Sequence, residues 1–327
     1  MRRREFIGFL VGAAAAAPFK AQAQQVGKIY RIGFLGPAQN SGPAVTFYRA
    51  FLDRMSDLGF REGQNLHVEF RALEEPRAMA IKAEELVRAR PELIVATGPE
   101  AGLRAVVGVS GTTPVVMVAV NFDPIAGGYV KSLAHPGGHV TGVVFQQLAL
   151  AQKQVELLTQ AAPGRTRLAI LYEGSTADQL GAAERAAKSL KLEVQAVKLE
   201  PPAYDFDGAI QKAAAAGAQM LLVLSGPGFT QYRARIAELG IQDRLPTMFI
   251  ARHYVEAGGL ISYGVDFPVM FRRAADYTAQ ILKGAKPTEL PVEQASKFEM
   301  VINLKTAMAI GLIVPPGLLN AADQVIE

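Results

Sequence analysis

The sequence predicts an α/β protein built from two doubly wound, Rossmann-like lobes. Short apolar runs rich in Val, Ile and Leu alternate with amphipathic stretches along the whole chain after residue 25, the pattern of parallel strands covered by helices on both faces. The series restarts near residue 166, just after the loop signal Pro163-Gly164. A length of 327 residues, 50% of them hydrophobic, suffices for two cores of ordinary size. Two lobes follow more naturally from this than one very wide sheet.

Strands are expected at 29–35, 65–71, 92–97, 114–120 and 139–145 in the first series. In the second they are expected at 167–172, 192–198, 219–225, 246–250 and 260–263. In 44–58 the apolar residues Val45, Tyr48, Phe51, Leu52 and Met55 recur at helical spacing. Segments 77–90, 149–161, 176–190, 205–217, 229–240 and 266–284 behave similarly. The last stretch holds the strand-like KFEMVIN (297–303), a short helix, and Pro315-Pro316 before a final helix.

Ahead of the first strand stands MRRREFIGFLVGAAAAAPFKAQAQQ. Three arginines, an apolar stretch from Phe6 to Ala17 and the small-residue site Ala21-Gln22-Ala23 make residues 1–23 a cleavable signal peptide. The stretch is shorter than the ~20 residues of a membrane helix. Arg3-Arg4-Glu5-Phe6-Ile7 fits the twin-arginine export pattern, and a general secretory signal with extra arginines is the alternative. Either route places the mature chain in the periplasm, where NAD and ATP are scarce.

The leader also explains most of the net charge. Arg2, Arg3, Arg4 and Lys20 against Glu5 account for most of the formal +4. No basic run or face remains afterwards, so nucleic acid is not an expected partner. The chain has no cysteine, which excludes disulfides, thiolate nucleophiles and Cys-based metal sites. His135 and His139 flank Pro136-Gly137-Gly138, which breaks any helix that could align them on a metal. No metal and no cofactor is expected.

In open α/β sheets, ligands sit outside the carboxyl ends of the strands. In the first lobe these ends are Gly36-Pro37, Thr97-Gly98-Pro99-Glu100 and Asn121-Phe122-Asp123-Pro124. In the second they are Tyr172-Glu173-Gly174-Ser175, Ser225-Gly226-Pro227-Gly228 and Arg252. Turns of this kind expose backbone N–H groups at helix starts, which receive carboxylates and other acceptors.

No enzymatic motif fits. The first turn is G-F-L-G-P rather than G-x-G-x-x-G, no G-x-x-x-x-G-K-[ST] occurs, and Ser225 lies in Leu-Ser-Gly-Pro-Gly rather than G-x-S-x-G. Ser225, His253 and Asp266 can be drawn as a triad, but nothing in the sequence orients them. Asp123 and Glu173 have the ordinary alternatives of capping a helix or holding a ligand amine. The chain is not expected to be an enzyme.

Several long motifs in order carry a family resemblance. They are KIYRIGFLGP (28–37), LGFREGQNLHVEFR (58–71) and DPIAGGYVKSLAHPGGHVTG (123–142), then RARIAEL (233–239) and ARHYVEAGGLISYG (251–264). ILKGAKPTELPVEQ (281–294) and KFEMVINLKTAMAIGL (297–312) complete the series. From end to end the chain resembles the ABC transporter substrate-binding proteins of the tryptophan/tyrosine type.

The resemblance implies a type I periplasmic binding fold, with the ligand between two lobes joined by three crossing strands. Lobe one would comprise 28–141 with 266–286, and lobe two 145–261 with 291–327. The crossovers would lie near 141–145, 261–265 and 288–298. It further implies a monomer that binds a small organic solute, an amino acid or aromatic acid, and delivers it to a membrane permease powered by a separate ATPase. A ligand-sensing periplasmic module and a periplasmic enzyme are the alternatives on the same fold.

The residues expected to meet the ligand are Gly36, Pro37, Thr97, Gly98, Glu100, Asn121, Asp123, Tyr172, Glu173, Ser225, Arg252 and Tyr263. Arg252 stands where the family also carries arginine, as a carboxylate clamp or as one half of a salt bridge. Where many members of the family carry a Gly-Thr-Pro-Ala-type turn, this chain has Gly98-Pro99-Glu100-Ala101, losing the threonine hydroxyl and gaining Glu100. That glutamate either repels a carboxylate and welcomes an amine, or serves as a solvated helix-start charge. Phe122 either stacks on a planar ligand or packs in the core.

Overall fold

A computed structural model describes residues 28–37, 43–72, 76–201, 203–226 and 228–327. The leader expected at 1–23 lies outside the described residues.

The first lobe opens with β1 (Tyr30–Gly36), α1 (Pro43–Asp57), β2 (Leu66–Ala72), α2 (Pro76–Arg88), β3 (Leu93–Gly98), α3 (Glu100–Ser110), β4 (Val115–Val120) and β5 (Val140–Phe145). The chain then passes through 146–147 into the second lobe. That lobe contains α4 (Leu148–Ala161), β6 (Arg167–Tyr172), α5 (Ala177–Ser189), β7 (Glu193–Lys198), α6 (Phe206–Ala215) and β8 (Met220–Val223). It continues with α7 (Arg233–Gln242), β9 (Thr247–Phe249), α8 (Arg252–Glu256) and β10 (Ile261–Val265). At Asp266 the chain returns to the first lobe for α9 (Phe267–Leu282) and β11 (Glu293–Gln294). Through 295–297 it crosses a last time, to β12 (Phe298–Asn303), α10 (Leu304–Ala309), α11 (Pro316–Ala321) and β13 (Gln324–Ile326).

Each lobe is one twisted sheet between two helical layers. The first sheet has the order β11-β5-β4-β3-β1-β2 and the second β13-β12-β10-β9-β8-β6-β7. All pairings in the first sheet are parallel. In the second, only β10 with β12 is antiparallel.

The period-2 geometry of a strand explains the continuous apolar runs. Ile32 and Phe34 of β1 pack under α1 and α9, and Leu35 packs on the opposite face under α2 and α3. Leu168 and Ile170 of β6 likewise oppose Ala169 and Leu171. Both faces are buried, so both need apolar side chains. A sequence-distant helix completes the first lobe: α9 lies beside α1, where Arg54 pairs with Asp276 at 2.8 Å.

Compared with the sequence expectation, the crossings are shorter and shifted by a few residues. All of 140–145 pairs with β4, so β5 belongs to the first sheet. Ile261–Val265 pairs with β12, so β10 belongs to the second. Hydrogen bonds tie together the crossings and the elements that flank them. Gln154 Nε2 donates to the Tyr263 carbonyl at 2.7 Å, Ala295 N to Val144 at 2.9 Å and Asp266 N to Lys297 at 3.3 Å.

Candidate functional site

The carboxyl ends of both sheets face one another across a cleft with two chambers. The first, of about 490 Å³, lies between the ends of β3 and β4 on one side and those of β8 and β9 on the other. Gly98, Glu100, Asn121 and Ser225 meet there. Gly98 holds a φ of 101°, a left-handed backbone that lets β3 turn at once into α3. The N-cap of α3 is Pro99, whose side chain accepts no hydrogen bond, so the first turn of the helix has no side-chain cap at the cleft wall.

Glu100 is the first residue of that helix. Its Oε1 accepts from Arg104 Nη2 at 2.7 Å and from the Tyr129 hydroxyl at 3.0 Å. The Arg104 bond, aided by the Tyr129 hydroxyl, holds its carboxyl below the usual carboxylate range, so it is ionised at neutral pH. Burial in turn pushes the Tyr129 phenol up. Phe122 packs in the core, the second of its two expected roles. Its ring meets Tyr129 edge-on at 6.1 Å against the core and also lines the chamber.

A polar bridge spans the chamber. Asn121, at a φ of 62°, donates from Nδ2 to Ser225 Oγ at 2.8 Å. Ser225 Oγ donates onward to Gln179 Oε1 at 2.9 Å. Asn121 Oδ1 accepts from the backbone N of Gln147, in the first crossing, at 3.1 Å. Two lobes and a crossing segment thus share one network. Gln147 itself lines the chamber, and among the described residues its buried Nε2 has no partner.

The second chamber, of about 530 Å³, lies between the starts of α1 and α9 on one lobe and α8 with β12 on the other. Arg252 lines it, but its guanidinium is committed. Nε and Nη2 donate to Glu299 Oε2 at 3.1 and 2.6 Å, and Nη1 donates to Gln324. The carboxylate clamp expected of Arg252 is therefore a salt bridge, because Glu299 is buried and needs a counter-charge.

Other expected residues have structural work. Gly36 packs under the Phe34 ring and Thr97 Oγ1, and a Cβ there would come within 2.7 Å of the ring. Pro37 follows it, partly buried, and lines neither chamber. Thr97 is buried and donates to the Leu35 carbonyl at 3.2 Å. Asp123 Oδ1 accepts from the backbone N of Ile125 at 2.8 Å, closing a turn.

Glu173 is buried as a buckle for the second lobe. It accepts from the Tyr204 hydroxyl and Gly228 N at 3.0 Å, and from Ser175 Oγ at 3.3 Å. Burial and that bond push the Tyr204 phenol up to about 12. Tyr172 packs on the second-lobe core. Tyr263 faces a separate hollow with Met300 and Leu318, because its strand register turns it away from the cleft. Gln147, Thr230, Ile250 and Phe267 line the first chamber and were not among the expected residues. Phe267 lines both chambers. Gln147 lies two residues after β5, in the first crossing, which was the one signal available for it. Among the described residues no group of three or more His, Asp or Glu could hold a metal ion.

Comparison with known proteins gives this cleft its context. The family described as ABC transporter substrate binding protein matches residues 41–326. The chain belongs to that family. The Tyrosine-binding protein of Clostridioides difficile is 23% identical over 269 residues, which cover 81% of this chain and 76% of that one. A solved ABC domain in complex with L-Trp, from Streptococcus pneumonia, is 26% identical with a TM-score of 0.80, covering 91% of this chain and all of that one. A ligand-free, open substrate binding protein with adhesive properties from Clostridium difficile has a TM-score of 0.68 at 19% identity, covering 91% and 99% of the two chains. The fold is the type I periplasmic binding fold, and the protein is a solute receptor of an ABC transporter.

Proposed function

We propose that the receptor takes an amine-bearing small organic solute, an amino acid first, in the chamber between Glu100 and Ser225. The ionised Glu100 carboxylate on the cleft wall carries this reading. Its Oε1 is shared by Arg104 and Tyr129, and its Oε2 is the acceptor offered to an ammonium group. The α3 N–H groups are donors for the solute's own carboxylate. Phe122, Ile250 and Phe267 offer apolar surface to the side chain. The L-Trp complex and the Tyrosine-binding protein among its relatives support the same class.

The remaining parts follow from the leader and the topology. Residues 1–23 direct export, with Arg3-Arg4 marking the twin-arginine route, and the mature chain works as a monomer in the periplasm. The hinge comprises the crossings at 146–147, Asp266 and 295–297, and closure brings both lobes onto the solute. The closed receptor hands its solute to a membrane permease driven by a separate ATPase.

A micromolar solute corresponds to about −8 kcal/mol. One charge-assisted contact contributes about 1.5–3 kcal/mol of that. Titration calorimetry of the amino acids that stabilise the protein, against wild type and Glu100→Gln, tests the reading. Roughly tenfold weaker binding in the variant is expected. Equal affinity in both would remove Glu100 from the site.

A further inference from the structure

The second chamber holds charges that the amine site does not use. Arg233 of the second lobe and Arg272 of the first both line it. Among the described residues neither has a carboxylate within ion-pair distance. Among the described residues the Arg233 side chain donates only to the Thr230 carbonyl, at 3.1 Å. The buried Nε2 of His253, which lines the same chamber, also has no partner among the described residues.

The chamber's acids do not answer these guanidiniums. Glu299 is held by Arg252, and Asp266 accepts from Val269 N at 3.1 Å and lies 3.6 Å from Lys297. Glu256 is exposed at the rim. The walls are aromatic: Phe47 and Phe267 stack at 5.2 Å, and His253 meets Phe47 edge-on at 6.0 Å. Two like charges on opposite lobes oppose closure, and an anion between them reverses the sign of that interaction. Arginine forks match carboxylate geometry, and ring faces suit a planar body.

We propose that this chamber is a subsite for an aromatic carboxylate, gripped by Arg272 from one lobe and Arg233 from the other, beside the His253 ring. The proposal rests on the cleft being the solute site. It extends the solute class to acids whose carboxylate lies on the far side of Phe267 from the amine. Burial and the neighbouring Arg233 hold the imidazole down to about 4, so it is neutral at pH 7.

Benzoate is the probe, with benzamide as its uncharged twin. The His253 ring is one of four histidines in the chain and is assigned in NMR spectra by difference with His253→Gln. Benzoate is expected to shift the His253 ring signals saturably and to raise the melting temperature, and benzamide is expected to do neither. Arg272→Gln, on an exposed position, should weaken benzoate tenfold or more, and Arg233→Gln should do the same. No saturable response to benzoate, an equal response to benzamide, or unchanged affinity in both variants would overturn the proposal. Benzoate has no amine, so its result is independent of the Glu100 titration.

Discussion

Asn121 sits in the left-handed region at a φ of 62°, a conformation that asparagine tolerates better than most residues. That twist aims its amide across the cleft at Ser225. A net hydrogen bond contributes about 0.5–1.5 kcal/mol. Ser225→Ala is therefore expected to shift the ligand-free protein toward an open form, with a larger radius of gyration in solution scattering. It should also weaken solute binding by roughly 2–10-fold. Identical scattering curves for the two proteins would show that the bridge does not hold the lobes together. Glu173 belongs to the same scale but governs stability. Glu173→Ala leaves the Tyr204 hydroxyl and Gly228 N without their acceptor in a buried setting, and should cost about 1–3 kcal/mol in denaturant titration.

At the scale of elements, close packing between strands decides what can vary. A Cβ on Gly264 of β10 would lie 1.7 Å from the Ile250 carbonyl oxygen of the neighbouring segment. Gly264→Ala must push these backbones apart and is expected to cost about 1–3 kcal/mol. Because Ile250 also lines the first chamber, solute affinity should fall with it. A variant as stable as wild type would contradict this packing. Arg252→Ala leaves Glu299 buried without its counter-charge. After allowance for the half-exposed arginine, about 1–2 kcal/mol of stability should be lost.

The inner strands were legible because both sheet faces are buried there, which makes each an apolar run. The edge strands β2 and β7 carry polar residues among the apolar ones. The extent of α3 was not legible beyond its start at Glu100. Gly102, Val106, Val107, Gly108 and Val109 are weak helix formers, and packing against the sheet overrides them. Arg252 and Tyr172 look like binding residues from their place at strand ends. Only their neighbours, Glu299 for one and the second-lobe core for the other, show what they do.

For the whole molecule, the cleft couples stability to pH and to solute. The His253 imidazole, about 4 in the folded chain against 6.5 when free, binds fewer protons folded than unfolded between these values. Stability is therefore undiminished above about pH 6.5 and falls as the pH drops toward 4, by on the order of 3 kcal/mol from this group. His253→Gln should flatten that acid limb in melts taken from pH 7 to 4, and an unchanged limb would refute the assignment.

The most direct measurement for the receptor itself is a thermal-shift titration with amino acids and aromatic acids. A solute at 100 times its dissociation constant should add about 2.7 kcal/mol of stability. An amino acid is expected to give a saturable rise in melting temperature that shrinks in Glu100→Gln. No rise with any amino acid, or a rise indifferent to Glu100, would contradict an amine-binding cleft.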